Sequence, residues 1–164
     1  MTNTITQKLL ELGFELSKPV VPIANYLQAK ILNCAIYVSG QLPMKDGEVI
    51  YKGKVGEDLT IEEGKKASEL CLLNVLNQLV LALDDDILKI KSCIKLEIFV
   101  NATESFEKHP EIANGASDLL VKVLGERGRH TRVAVGVSSL PLNSAVEVTA
   151  IFETAKEREW QTQL

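Results

Sequence analysis

Between Thr60 and Leu83 the apolar residues collect on one side of a helix. Leu72, Val75, Leu76, Leu79, Val80 and Leu83 sit at i, i+3, i+4, i+7, i+8 and i+11. Thr60 and Glu63 have the spacing of a capping box, in which the hydroxyl accepts from a free backbone N–H and the glutamate reaches back. Asp84, Asp85 and Asp86 follow. Three acids at a helix C-terminus oppose its dipole, so the helix is predicted to stop at or before them. A second helix is predicted from Pro110, a residue suited to the first helical position, with Ile112, Ala113, Ala116, Leu119, Leu120 and Val123 as its stripe and Gly125 or Gly128 as its end. A short helix is expected over residues 4–13, where Ile5, Leu9, Leu10 and Leu12 precede a capping Gly13.

Strands show as alternation or as β-branched runs. Ser92–Asn101 sets Ile94, Leu96, Ile98 and Val100 against Cys93, Lys95, Glu97 and Phe99, one core face and one mixed face. Asn25–Leu32 and Cys34–Ser39 read as a strand pair turning at Asn33, and Thr131–Val137 and Ala145–Phe152 as two closing strands. Pro43–Gly56 reads as a surface excursion around Asp46-Gly47, with a short strand near Val49–Tyr51. Phe14–Pro22, with two prolines, is expected to be an extended connection. The order calls for an α+β fold in which two helices cover one face of a sheet. The other face is then solvated or buried by association. Tyr37, Cys93 and Phe99 lie off the strongest aliphatic register, so association is the expectation.

With 164 residues and no internal repeat or linker, residues 1–164 read as a single domain, with the helix at 4–13 and the tail at 154–164 as extensions. The tail from Lys156 is polar apart from Trp160. A net charge of −4 with scattered basic residues argues against nucleic acid as a partner. Cys34, Cys71 and Cys93 are odd in number and set among apolar neighbours, and read as buried thiols in a reducing compartment. No CxxC pair occurs and His109 and His130 lie apart, so no metal site is expected. Neither a secretory signal nor a membrane-spanning run is visible, and cytoplasmic residence is the expectation.

Little remains that could carry chemistry. There is no P-loop, no GxGxxG and no Ser-His-Asp arrangement in sequence. His130-Thr131-Arg132 opens an apolar strand, and a guanidinium there is costly to bury unless it meets an anion; its planar fork suits a carboxylate. That carboxylate could be a ligand's, or an internal acid such as Glu147. Glu147 is an isolated acid in a β-branched run, either facing solvent or poised to orient a water. Ser39-Gly40-Gln41 closes a strand where glycine permits close approach of a ligand, or is a plain turn.

Several of these pieces, in this order, resemble the RidA/YjgF family. Tyr26 precedes a strand leading into Val38-Ser39-Gly40-Gln41-Leu42-Pro43, similar to the family's opening. Asn114 in Ala113-Asn114-Gly115-Ala116 resembles the family's helix asparagine. Arg132, in a strand running on to Leu140-Pro141, resembles the family's catalytic arginine, and Glu147 falls where that signature places its acid. The likeness spans about residues 20–153. It implies a chorismate-mutase-like sheet with two helices on one face, assembled as a homotrimer around an inner β-barrel, with ligand clefts between subunits. The implied activity is hydrolysis of reactive enamine or imine intermediates such as 2-aminoacrylate to a 2-keto acid and ammonia, without a cofactor. Arg132 would clamp the carboxylate and Glu147 would hold or activate water. Tyr26, Ser39, Gly40, Asn114 and the backbone at Ala134 would line the cleft. Ala134 stands where many members have a cysteine, which removes thiol chemistry there. The N-terminal helix and Gly125–His130 mark a longer, divergent branch. Two alternatives stay open: a non-catalytic trimer that senses a small carboxylate, and the endoribonuclease activity attached to the family by name. The acidic balance and the absence of a paired histidine catalyst weigh against the second.

Overall fold

The computed structural model describes residues 4–18 and 25–155. Its elements are α1 (Ile5–Glu11), β1 (Ala29–Leu32), β2 (Ala35–Gln41), β3 (Met44–Lys45), β4 (Glu48–Val49), α2 (Ile61–Ala82), β5 (Ile90–Asn101), α3 (His109–Leu124), β6 (Thr131–Val137) and β7 (Val146–Thr154). Five strands form one sheet in the order β1-β2-β7-β5-β6. β5 and β6 are parallel with α3 as their crossover, and the other neighbours are antiparallel. β6 and β1 are therefore the two edges.

The long helices form where their stripes predict. Thr60 Oγ1 accepts from Glu63 N at 3.3 Å and Glu63 Oε2 accepts from Thr60 N at 2.8 Å, so the capping box closes in both directions. Leu72, Val75, Leu76 and Leu79 of α2 and Ile112, Ala116, Leu119 and Leu120 of α3 are buried against one side of the sheet. That side is built from Ile36 and Val38 of β2, Leu96, Ile98 and Val100 of β5, and Val148, Ala150 and Phe152 of β7. Each such aliphatic or aromatic side chain contributes roughly 1.5–3 kcal/mol by leaving water. The two helices meet backbone to backbone. A Cβ on Gly115 would meet the Lys65 carbonyl, whose carbon would be 2.9 Å away, and Ala116 N donates to the buried Ser68 Oγ at 3.3 Å.

Four readings of the sequence need correcting. The pairing of β5 with β7 shifts register between Cys93 and Lys95. Such an irregularity reverses which face the residues before it occupy, so Cys93 is buried and Ile94 exposed, opposite to the simple alternation. The first strand is shorter than Asn25–Leu32, starting only at Ala29. The excursion carries a two-stranded hairpin rather than one strand near Val49–Tyr51; Asp46 and Gly47 both take positive φ, 51° and 87°, as a tight two-residue turn demands. Cys34 is only half-buried, while Cys71 and Cys93 are buried as expected. The acids after α2 also have a use beyond stopping it. Asp85 Oδ1 accepts from Thr6 N at 2.9 Å at the start of α1, where negative charge is favoured. The prolines at 19 and 22 and the tail from 156 lie outside the described residues.

The far side of the sheet is different. Tyr37, Val133 and Val135 are exposed there, with Phe99 and Ile151 half-buried between them. Both long helices pack on the opposite side. Among the described residues no helix is long and apolar enough to cross a membrane.

Candidate functional site

Arg132 lies in register with Leu96 of β5 and so shares the helix-side face of the sheet. Because β6 is an edge strand, its side chain reaches α3 rather than a further strand. Nη1 donates to Asn114 Oδ1 at 2.9 Å and to Ser117 Oγ at 3.0 Å, and Nη2 to the Pro110 carbonyl at 3.4 Å. Pro110, Asn114 and Ser117 are spaced four and three residues apart, which puts them on one face of α3. All three acceptors are neutral. Among the described residues Arg132 forms no ion pair, and the guanidinium keeps an exposed side. The alternative that an internal acid such as Glu147 neutralises it is not met. Ala134 follows on the same face, half-buried, and then Gly136, over which His109 lies; a Cβ there would meet His109 Nε2 at 2.6 Å. The ring of Phe106 holds His109 edge-on, with centroids 5.1 Å apart.

A second cluster forms around β1, β2 and β7. The β2–β7 pairing shifts between Val38 and Gln41, so Ser39 and Gly40 bow out of the ladder. Glu147 fills the space this leaves: a Cβ on Gly40 would strike its carboxylate, with Cδ only 2.8 Å away. Ser39 Oγ donates to the Leu27 carbonyl at 2.7 Å. Gln41 Nε2 donates to Gln28 Oε1 at 2.7 Å, and Gln28 Nε2 to the hydroxyl of the exposed Tyr26 at 3.4 Å. Burial pushes the Glu147 carboxyl above its ordinary value. The buried thiol of Cys71 is pushed well up, first by desolvation and then by Glu147. Burial likewise pushes the Cys93 thiol up to about 12, so neither cysteine is a thiolate nucleophile.

One chain does not bring the two clusters together. Glu147 is in register with Phe99, which puts it on the far side of the sheet from Arg132. It is also two strands and three residues away, roughly 14 Å at about 4.8 Å per strand and 3.3 Å per residue. The sequence-predicted residues therefore divide into Arg132, Asn114 and Ala134 on one edge, and Tyr26, Ser39, Gly40 and Glu147 toward the other. Sequence reasoning missed Ser117 and the part played by His130. Their signal was present: Ser117 stands i+3 from Asn114, and His130 precedes Arg132 by two, just ahead of the strand. No group of three or more His, Cys, Asp or Glu side chains among the described residues is arranged to hold a metal.

A mixed sheet carrying two long helices on one side defines the chorismate-mutase-like class of α+β proteins. Residues 6–154 match the family described as "YjgF/chorismate mutase-like, putative endoribonuclease", and the chain belongs to that family. It is 41% identical over 153 residues to Protein TCP17 of Trypanosoma cruzi, covering 93% of this chain and 95% of that one. The crystal structure of Atu1372 from Agrobacterium tumefaciens, a protein of unknown function, superposes with a TM-score of 0.86 at 44% identity, covering 93% of this chain and 94% of that one. E. coli TdcF, solved with bound serine, shares the fold at a TM-score of 0.58 and 22% identity, over 82% of this chain and 91% of that one.

Proposed function

We propose that the protein hydrolyses small carboxylate-bearing imines and enamines to 2-keto acids and ammonia, in clefts that two copies of the chain complete. The observation that carries this reading is the guanidinium of Arg132, held in place by three neutral acceptors with no ion-pair partner among the described residues. Such a group presents a fixed fork to an incoming carboxylate. With the carboxylate clamped, the imine carbon one bond away is oriented for attack. Water adds to that carbon as Glu147 takes its proton. The same carboxyl returns that proton to nitrogen to give a carbinolamine; its carboxylate then takes the hydroxyl proton and passes it to the nitrogen as the C–N bond breaks, leaving a carbonyl and free ammonia. A carboxyl whose pKa is raised by burial suits both halves of that transfer. Asn114 and the edge backbone at Ala134 would flank the substrate on the arginine side, with Tyr26, Ser39 and Gly40 on the other.

A small imine cannot span the separation within one chain, so the reading requires a second copy to set its Glu147 cluster against this Arg132. The exposed apolar residues on the far side of the sheet, Tyr37 at 46% and Val135 at 39%, support association through that face, and a homotrimer is the proposed assembly. TdcF of E. coli was solved with serine bound, a ligand with the carboxylate this site would grip.

The test is release of ammonia and keto acid from imines generated by an amino-acid oxidase. Arg132→Ala is expected to lower kcat/KM by at least ~100-fold; unchanged turnover would refute the clamp. A second reading, a carboxylate-binding trimer without turnover, is favoured by one fact: the Arg132 cluster is complete within one chain, and Glu147 lies on the far side of the sheet from it. Thermal stabilisation by 2-ketobutyrate in wild type and Glu147→Gln alike, with no hydrolysis of any imine offered, would establish it.

A further inference from the structure

Behind Arg132 stands a chain of groups that neither the family assignment nor the proposed reaction uses. His130 Nδ1 lies 2.6 Å from the Gly128 carbonyl, and its Nε2 lies 3.0 Å from Ser117 Oγ. Ser117 Oγ in turn lies 3.0 Å from Arg132 Nη1. For a neutral imidazole the direction of every hydrogen in this chain follows by elimination. A carbonyl only accepts, so Nδ1 of the neutral imidazole carries the proton and Nε2 is the acceptor. The Ser117 hydroxyl must then donate to Nε2, which turns the oxygen lone pairs toward the guanidinium, a donor that cannot accept. While the imidazole is neutral, no link can be reversed without breaking another.

We infer that His130 and Ser117 are positioning residues for Arg132: the histidine orients the serine hydroxyl, and the serine sets the guanidinium fork for the substrate carboxylate. The role deepens the proposed hydrolase and rests on it where substrate is concerned. Neither group need touch substrate. Ser117 could also be read as a nucleophile with His130 as its base. Its setting argues otherwise, since it sits inside α3, where the surrounding backbone N–H groups are spent on the helix and none is left to stabilise an oxyanion. The arrangement also explains the Gly125–Gly128 turn. That one-turn helix ends with the Gly128 carbonyl aimed at the ring, and a Cβ at Gly128 would meet the Leu120 carbonyl oxygen at 2.6 Å. Glycine lets the turn sit tight enough against α3 to present that carbonyl.

The variants are Ser117→Ala, His130→Phe and the conservative Ser117→Thr. In ligand-free protein, nitrogen NMR should show His130 as the neutral Nδ1–H tautomer and the Arg132 side chain as a single ordered signal. Ser117→Ala and His130→Phe should average the Arg132 signal, and Ser117→Thr should restore it. The two disruptive variants should raise the Kd for 2-ketobutyrate and the KM for imine by roughly tenfold, the loss expected for one hydrogen bond to a charged group. Their kcat should stay within about threefold of wild type, and Ser117→Thr should recover the KM. Abolition of kcat by Ser117→Ala would make the serine a nucleophile and overturn the inference. So would an Nε2–H tautomer, or an Arg132 signal and Kd unchanged in both variants. A wild type that binds 2-ketobutyrate but hydrolyses no imine would defeat the proposed reaction alone, because the spectra and binding constants still judge the relay.

Discussion

Gly40 and Glu147 show how a single missing side chain sets up a functional group. A methyl on Gly40 would collide with the Glu147 carboxylate, which is the far end of a flexible side chain and can swing away. Gly40→Ala is therefore expected to change stability by less than about 1 kcal/mol. It should nevertheless lower kcat by at least ~10-fold, because the base is displaced from its seat; urea unfolding and the imine assay together check this. The raised pKa of Glu147 gives a second expectation. Its folded-state value lies above the ordinary 4.5, so the neutral acid is the form that the fold favours. The stability it contributes is full below pH 4.5 and is lost as pH rises through the raised value. Glu147→Gln removes that dependence, so the variant should gain stability relative to wild type as pH climbs from 4 toward 8. A difference that stays flat across this range would mean the carboxylate is fully solvated. At this scale the sequence was legible in residue type but not in partners. Arg132 and Glu147 could be picked out as isolated charges in apolar strands. Nothing in their spacing said that one would rest on the face of α3 and the other in a bulge on the far side of the sheet.

The helices were the most readable elements because each carries a long stripe and a start signal in adjacent residues, as at Thr60 and Pro110. What escaped was their closeness. Gly115 reads in sequence as a weak point in a helix, yet it is the place where the backbones of α2 and α3 touch. Two effects oppose each other in Gly115→Ala. Alanine favours an isolated helix over glycine by roughly 0.5–1 kcal/mol, whereas overpacking against an immovable carbonyl costs about 1–3 kcal/mol. Overpacking should win, since the Lys65 carbonyl is backbone and cannot turn aside. A net loss of stability in urea unfolding is expected, and a Gly115→Ala protein more stable than wild type would show that the helices separate freely. Asn114, the next residue along, should move with the helix and weaken ligand binding. The register of β5 escaped for a different reason. Alternation is counted from one end of a strand, and β5 advances two residues, from Cys93 to Lys95, while β7 advances one, from Phe152 to Ile151, a bulge that no local pattern records.

For the whole molecule, one-sided helix coverage was predictable from two stripes; of the residues read as off the main register, Tyr37 and Phe99 lie on the far side, while Cys93 is buried in the core. The division of the site was not predictable, because chain order says nothing about which edge of a sheet a strand will occupy. That division makes a sharp prediction. If each cleft takes its Arg132 cluster from one copy and its Glu147 cluster from the next around a three-fold ring, two inactive variants should complement each other. Arg132→Ala and Glu147→Gln subunits should each form an inactive trimer. In any mixed trimer, whether two-to-one or one-to-two, one cleft of the three pairs an intact arginine with an intact glutamate. Random assembly of equal amounts makes three trimers in four mixed, so co-refolded protein should recover about a quarter of wild-type activity, a consequence of heterologous cyclic symmetry. Placing both substitutions in one chain and mixing it with wild type provides the control. There the intact clefts arise only where two wild-type chains adjoin, and activity should again fall to about a quarter rather than the half expected of independent subunits. Mixtures of the single variants that stay inactive, while the homotrimer itself is demonstrated by sedimentation, would place both clusters' partners elsewhere and remove the intersubunit cleft from the mechanism.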